Sequence, residues 1–111
     1  MEDKTLRVIV TDNFEKQAES QYGYIYNNSP QNADKFADGI LPAIIKISKH
    51  PQAYSQETII STTKNIYRFM LYMKSWKIIY KVTSKLIVIL GIVSVKQHPK
   101  AIEKLRTNEY K

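Results

Sequence analysis

The chain has no cysteine, and His50 and His98 are its two histidines. A disulfide framework, a thiol nucleophile, a thiol redox pair and a cysteine-based zinc site are therefore excluded, and no metal or cofactor is expected. A reducing compartment suits such a composition. No apolar run is long enough to span a bilayer, and the start, Met1-Glu2-Asp3-Lys4, is charged where a signal peptide is apolar. The expectation is a cytoplasmic protein that neither enters nor crosses a membrane. No repeat, linker or low-complexity stretch divides the chain. Its 111 residues suit one domain, 1–111, with a core large enough to fold unaided.

Acidic residues are scarce in the second half. Residues 1–57 hold six Lys or Arg against eight Asp or Glu, a net of −2; residues 58–111 hold eleven against two, a net of +9. That asymmetry suits either a polyanion or acidic protein facing the basic half, or lysines that keep strand edges soluble.

The basic half is also where the strands are expected. Between residues 66 and 99, three runs rich in Ile, Val, Tyr and Phe are separated by Lys74-Ser75 and Thr83-Ser84-Lys85, breaks of hairpin length. Such connections make antiparallel neighbours. In the first run, alternation puts Tyr67, Phe69, Leu71 and Met73 on one face and Ile66, Arg68, Met70 and Tyr72 on the other. The first set is the better core candidate. In the second run Trp76, Ile78, Tyr80 and Val82 alternate with Lys77, Ile79 and Lys81, which places the lysines on a partly wet face. The third run, 86–93, is apolar throughout, which suits a strand in the middle of the sheet and covered on both faces. Gly91 within it marks a bulge or a close backbone approach.

Ahead of these strands, residues 6–10 form a short β-branched run that can pair beside them. Asp12 and Glu15 fit a capping box, and Phe14, Ala18, Tyr22 and Ile25 recur at helical spacing, which predicts a helix over 13–27. Ser29-Pro30 restarts the helix as cap and first residue. Ala33, Phe36, Ala37, Ile40, Ile44 and Ile47 then make one stripe ending at His50-Pro51. Pro42, with Gly39 nearby, predicts a kink or break at 38–42. Two helices joined by Asn28 and Ser29 are antiparallel and bury their stripes on one sheet face. Residues 51–63 read as a loop, with Ile59-Ile60 as the one candidate strand. Pro99 starts a last short helix that docks through Ile102 and Leu105. The fold class is α+β, in the order strand, helix, helix, strand, strand, strand, short helix.

In this order, Tyr24-Ile25 before Ser29-Pro30 and Ala33, then His50-Pro51, Tyr67-Arg68, Ile78-Ile79-Tyr80-Lys81-Val82 and Lys96-Gln97-His98-Pro99 resemble the RelE/ParE toxin superfamily over nearly the whole chain. The closing Lys-Gln-His-Pro is similar to the Arg-Gln-Asn/Asp-Pro of the ParE branch. The resemblance implies the toxin of a type II toxin-antitoxin, or plasmid stabilisation, system, which inhibits growth. It further implies one of two activities: inhibition of DNA gyrase by binding, as in ParE-like toxins, or cleavage of messenger RNA in the ribosome, as in RelE-like ones.

RelE-like cleavage implies a cluster of Arg and Lys with a Tyr or His. Attack by a 2′-hydroxyl on a phosphate needs cations for the developing charge and a proton donor for the leaving oxygen. Matched onto this chain, Arg68 takes a cationic strand position, but Met70 stands two residues on. Lys77 stands where an arginine is usual, Lys96 falls near a second arginine, and Ile102 and Glu103 lie where a tyrosine is expected. Lysine offers a point charge in place of the two-pronged guanidinium clamp. The set is incomplete, which favours the ParE-like reading and a protein that is not an enzyme; the ribonuclease and a degenerate, non-toxic binding module are the alternatives. As a ribonuclease, the chain would use Arg68, Lys77, Lys96 and His98, the last able to exchange protons near neutral pH. Beside Pro99, His98 reads first as a turn residue. Tyr67, Trp76 and Tyr80 have rings that can stack on bases, but read first as core. For Arg68, a phosphate or acidic partner and a structural salt bridge are equally open.

The residues expected to meet the target or an antitoxin are Arg68, Tyr72, Lys77, Lys81 and Lys96. Because neighbouring strands lie about 5 Å apart, Arg68, Lys77 and Lys96 are expected to share one basic surface. The family implies an antitoxin that wraps the sheet and helices. The +9 half would attract an acidic, partly disordered one, apolar contacts at Tyr72 and Met73 would hold it, and a strand could add to a free sheet edge.

Overall fold

The computed structural model describes residues 6–63, 66–96 and 99–107. Strand β1 (Arg7–Val10) leads into helices α1 (Asp12–Asn28) and α2 (Pro30–Lys49). Strands β2 (Ser55–Glu57), β3 (Tyr67–Tyr72), β4 (Trp76–Val82) and β5 (Leu86–Ser94) follow, and helix α3 (Pro99–Thr107) comes last. The five strands form one sheet in the order β1-β5-β4-β3-β2. The chain starts at one edge, lays two helices over a face, drops to the far edge and returns by hairpins.

Every element expected from the sequence is present, with one addition and one change of direction. The addition is β2. Residues 51–63 are not all loop, and the strand is Ser55–Glu57 rather than Ile59-Ile60; it pairs antiparallel with β3, Gln56 opposite Arg68. Ile60 is instead a fully buried turn residue. The change is β1, which runs parallel to β5, so the sheet is mixed. A helical hairpin between β1 and the meander returns the chain for a parallel pairing that a tight turn cannot make.

Local chemistry accounts for the helix ends. Thr11, not Asp12, caps α1: its Oγ1 accepts from the Phe14 N–H at 3.1 Å, and its own N–H donates to the Ile89 carbonyl at 3.1 Å. The pairing of β1 with β5 thus fixes where the helix starts. Asp12 and Glu15 then sit in the first turn, where the helix dipole favours them. Ser29 closes α1 by donating its N–H to the Ile25 carbonyl and opens α2 by accepting from the Asn32 N–H. One residue between helices makes the hairpin antiparallel. The predicted break at Pro42 does not occur; α2 runs through it to Lys49. Pro42 is exposed, while Ala43, Ile44 and Ile47 just beyond it are buried, so packing holds the turn that has lost a hydrogen bond.

Register decides the two sheet faces. Arg68 opposite Tyr80, Met70 opposite Ile78 and Tyr72 opposite Trp76 point one way; Tyr67 opposite Lys81, Phe69 opposite Ile79 and Leu71 opposite Lys77 point the other. The helices cover the first face, where Phe14, Phe36, Ile44, Ile47, Tyr72, Ile78, Tyr80, Ile87 and Ile89 form the main core. The expected core set of β3 was therefore the wrong one for the helices. Tyr67 and Phe69 belong to a second cluster under α3, and Leu71 and Met73 are exposed. Both faces of β3 carry apolar residues, so alternation alone did not say which one the helices take.

Strand β5 is interior and buried on both faces over seven of its nine residues, although β4, not β5, holds the central place. The register shifts where Ile79 faces Gly91 and Tyr80 faces Ile89, and Leu90 is the extra residue of a bulge. At Gly91 a side chain would collide with Gln17 Oε1 and with Leu105, so the bulge and the close approach coincide. Gln17 Oε1 accepts from the Ile92 N–H at 2.9 Å, tying α1 to the bulge. Ile102 and Leu105 of α3 are buried against the far face, as their spacing predicts.

Candidate functional site

Arg68, on β3, faces the helix side of the sheet. Its Nη1 donates to the Tyr54 carbonyl at 2.7 Å, and the Tyr80 hydroxyl opposite donates to the Pro51 carbonyl at 2.6 Å. Together they pin the segment that leaves α2. Burial pushes the Tyr80 hydroxyl up to about 12, and the Arg68 guanidinium works against that rise.

Lys77, on β4, faces the other way. Its Nζ lies 3.0 Å from Glu57 Oε1 and 4.4 Å from the centre of the Phe69 ring. The Glu57 carboxylate is buried, and its second oxygen accepts from the Ile59 N–H at 3.2 Å. Lys81 shares this face, with Nζ 5.7 Å from the Tyr67 ring centre. Lys77 and Lys81 thus share the far face, Lys77 opposite exposed Leu71 and Lys81 opposite Tyr67, four residues further along β4.

Tyr72 lies in the main core. It is 6% exposed, its ring meets Phe36 edge-on at 5.6 Å, and its hydroxyl donates to the Phe36 carbonyl. Burial raises its ionisation range, with Asp38 adding to the rise. The ring already buried here is not a surface on which a partner can settle; Met73, beside it, is.

Lys96 is exposed in the turn after β5 and lines a cavity of about 610 Å³ between the α1–α2 hairpin and the end of the β3–β4 hairpin. Trp76 forms one wall, held by its Nε1–H donating to Gln21 Oε1 at 3.0 Å, and exposed Tyr24 another. The three-residue β3–β4 turn is tight: Met73 and Lys74, both at positive φ, sit between the Tyr72 carbonyl and the Ser75 N–H that donates to it at 3.2 Å. His98 lies outside the described residues.

The expected composite surface of Arg68, Lys77 and Lys96 does not form. Arg68 and Lys77 point to opposite faces of the sheet, because hairpin register places Arg68 against Tyr80 and Lys77 against Leu71. Lys96 is at a third place. Adjacent strands bring cations close only when the register also puts them on one side. Glu57 is the member of the site that sequence reading missed. It lay in a polar stretch, and its one signal was a carboxylate two residues ahead of Ile59-Ile60. Among the described residues no group of His, Cys, Asp or Glu could hold a metal, and no helix is long and apolar enough to cross a membrane.

This arrangement is suited to binding through separate patches. The model of the ParE toxin of the type II toxin-antitoxin system parDE matches residues 8–99. Among solved structures, the chain is similar to one from the chromosomal ParDE TA system of P. aeruginosa. The two share 15% sequence identity at a TM-score of 0.70, over 85% of this chain and 100% of that one. No curated protein matches the sequence.

Proposed function

Because the chain belongs to the ParE toxin family, as the match over residues 8–99 shows, we propose that it is the toxin of a ParDE-like pair that inhibits DNA gyrase by binding it. The observation that carries the choice between binding and RNA cleavage is the separation of Arg68 from Lys77. Cleavage needs cations converging on one phosphate. Here one guanidinium is bonded to the Tyr54 carbonyl on one face, and one ammonium to the Glu57 carboxylate on the other. Neither is preorganised toward a shared anion. The protein would act in the cytoplasm and arrest growth until its antitoxin binds.

The antitoxin would be an acidic chain on the far face of β3 and β4. Leu71 offers it exposed apolar area there with Lys77 opposite, Met73 adds exposed apolar area in the turn that follows β3, and Lys81 carries the positive charge further along β4. Charge would speed the encounter and apolar contact would hold the complex. A polypeptide carried by a neighbouring gene, titrated at low and high salt, should associate more slowly at high salt with most of its affinity retained.

The target is tested with purified protein. It should abolish supercoiling by gyrase and leave ribosome-bound message intact. Cleaved message with unaffected gyrase would overturn the reading in favour of a ribonuclease, and neither effect would mark a binding module without toxicity.

A further inference from the structure

Three parts of the chain converge on the cavity beside Lys96. The end of α1 and the start of α2 supply Tyr24, Asn28 and Asn32, the β3–β4 turn leads into Trp76, and the turn after β5 supplies Lys96. The walls are held in place by the fold itself. Trp76 is fixed by its bond to Gln21 and by Phe36, whose buried ring meets it edge-on at 4.8 Å. Beyond the pair Trp76 and Ser94, the Val95 N–H donates to the Ser75 carbonyl at 2.9 Å, and the Lys96 N–H donates to Ser94 Oγ at 3.2 Å. At about 610 Å³ the space falls within the range of small-molecule sites, roughly 300 to 1,000 Å³.

The charge on these walls is of one sign. Among the described residues, Lys96 is the one charged residue that lines the cavity, and its ammonium has no carboxylate partner. Glu19, next in the chain to Ser20 of the wall, lines a different depression beside Ala18 and Leu41. The first turn of α2 carries no acidic residue. The cavity therefore favours an anion, and one cation suits a ligand with a single anionic group better than a polyanion. The other walls suit a flat ring. Tyr24, 70% exposed, and Trp76 offer π faces on which a base can stack. The side chains of Asn28 and Asn32 are exposed and make no hydrogen bond to a described residue, so their amides are free to pair with donors and acceptors at the edge of a heteroaromatic ring.

We propose that this cavity is a binding site for a nucleoside monophosphate. The base stacks against Tyr24 and Trp76, the Asn28 and Asn32 amides meet its edge, and the phosphate pairs with Lys96. A ligand held this way joins the tip of the helical hairpin to the sheet, so the folded chain gains stability on binding. The site uses neither Arg68 nor Lys77, the cations on which the choice between gyrase and message turns, and it stands or falls independently of that choice.

Trp76 is the one tryptophan of the chain, so its fluorescence reports on the cavity wall without a label. The ribonucleoside 5′-monophosphates are titrated into the full chain in turn. At least one should change that emission saturably at submillimolar concentration, and isothermal calorimetry should return the same affinity. Its parent nucleoside, which keeps the ring and lacks the anion, should bind at least about tenfold more weakly, and inorganic phosphate should leave the emission unchanged. Lys96→Glu should weaken the nucleotide by about tenfold or more, Tyr24→Ala by about fivefold or more, and Lys96→Arg should retain it. Lys96 and Tyr24 are exposed, so these variants should keep their fold, checked by circular dichroism. No saturable binding of any monophosphate at millimolar concentration, by either measurement, would overturn the proposal. So would an affinity indifferent to both Lys96→Glu and Tyr24→Ala, or a nucleoside that binds as tightly as its phosphate. A 5′-phosphorylated oligonucleotide that binds more tightly than the mononucleotide would also overturn it, since the site would then take the end of a strand.

Discussion

Against one face of the sheet, α1 and α2 lay Phe14, Phe36, Ile44 and Ile47 over Tyr72, Ile78, Tyr80 and Ile89, a mainly apolar contact in which the two tyrosine hydroxyls each donate to a backbone carbonyl. Against the other, Ile60, Ile102 and Leu105 cover Tyr67, Ile79, Leu90 and Val93, and the margin is closed by Glu57, Lys77 and the cations over Phe69 and Tyr67. The difference follows from cover. Helices of 17 and 20 residues can close a face with hydrocarbon. A nine-residue helix and a turn cannot reach across the sheet, and charged side chains with long apolar stems finish the edge.

The largest effect expected from this contrast is in the cores. Phe36 meets the Tyr72 and Trp76 rings edge-on, and Phe36→Ala should cost about 4 kcal/mol in urea unfolding. Leu105→Ala, in the smaller cluster, should cost about 3 kcal/mol. A larger loss at Leu105 would reverse the ranking of the faces.

Next is the charged margin. Lys77→Met leaves the Glu57 carboxylate buried without its cation and should cost about 2 kcal/mol, below the range for fully buried pairs because Lys77 is partly exposed. Adding Glu57→Gln should recover at least about half of that, since the uncompensated charge is gone. A neutral single variant would show that apolar contact alone closes this face.

The smallest effect belongs to the helix-covered face and depends on pH. Tyr80→Phe loses the bond to the Pro51 carbonyl and should cost about 1 kcal/mol near neutral pH. The folded chain holds the Tyr80 proton up to about 12, whereas an unfolded tyrosine releases it near 10. The stability from keeping that hydroxyl neutral is whole below about pH 10 and lost as pH rises toward 12. Unfolding measured from pH 9 upward should fall less steeply in Tyr80→Phe, with the slope that remains shared by Tyr72, whose range burial also raises. Equal slopes would mean that water reaches the Tyr80 hydroxyl.

Much of this fold was legible along the chain. The Ser29-Pro30 restart, the α2 stripe, the three strand runs and the docking of Ile102 and Leu105 are local patterns, and each produced the element it predicts. The misses share a cause. β2 is three polar residues that become a strand because β3 offers an unpaired edge. The cap moved from Asp12 to Thr11 because β5 holds the Thr11 backbone. The Pro42 break was averted by packing on either side. For the site, the sequence supplied the cations but not their directions, and it hid Glu57 among polar neighbours.

By itself, then, the sequence determined the order and type of the elements, the absence of thiol chemistry, and the concentration of positive charge in the sheet half. These depend on side-chain periodicity and composition, which are properties of neighbours in the chain. Only the tertiary structure decided which face of β3 the helices cover, that β1 runs parallel to β5, and that Arg68 and Lys77 lie on opposite sides. It also brought Tyr24, Trp76 and Lys96 to one cavity. The cover of β3 and the direction of β1 depend on packing between segments far apart in sequence, and the opposite directions of Arg68 and Lys77 on hairpin register, where a shift of one residue turns a side chain from one face of a sheet to the other.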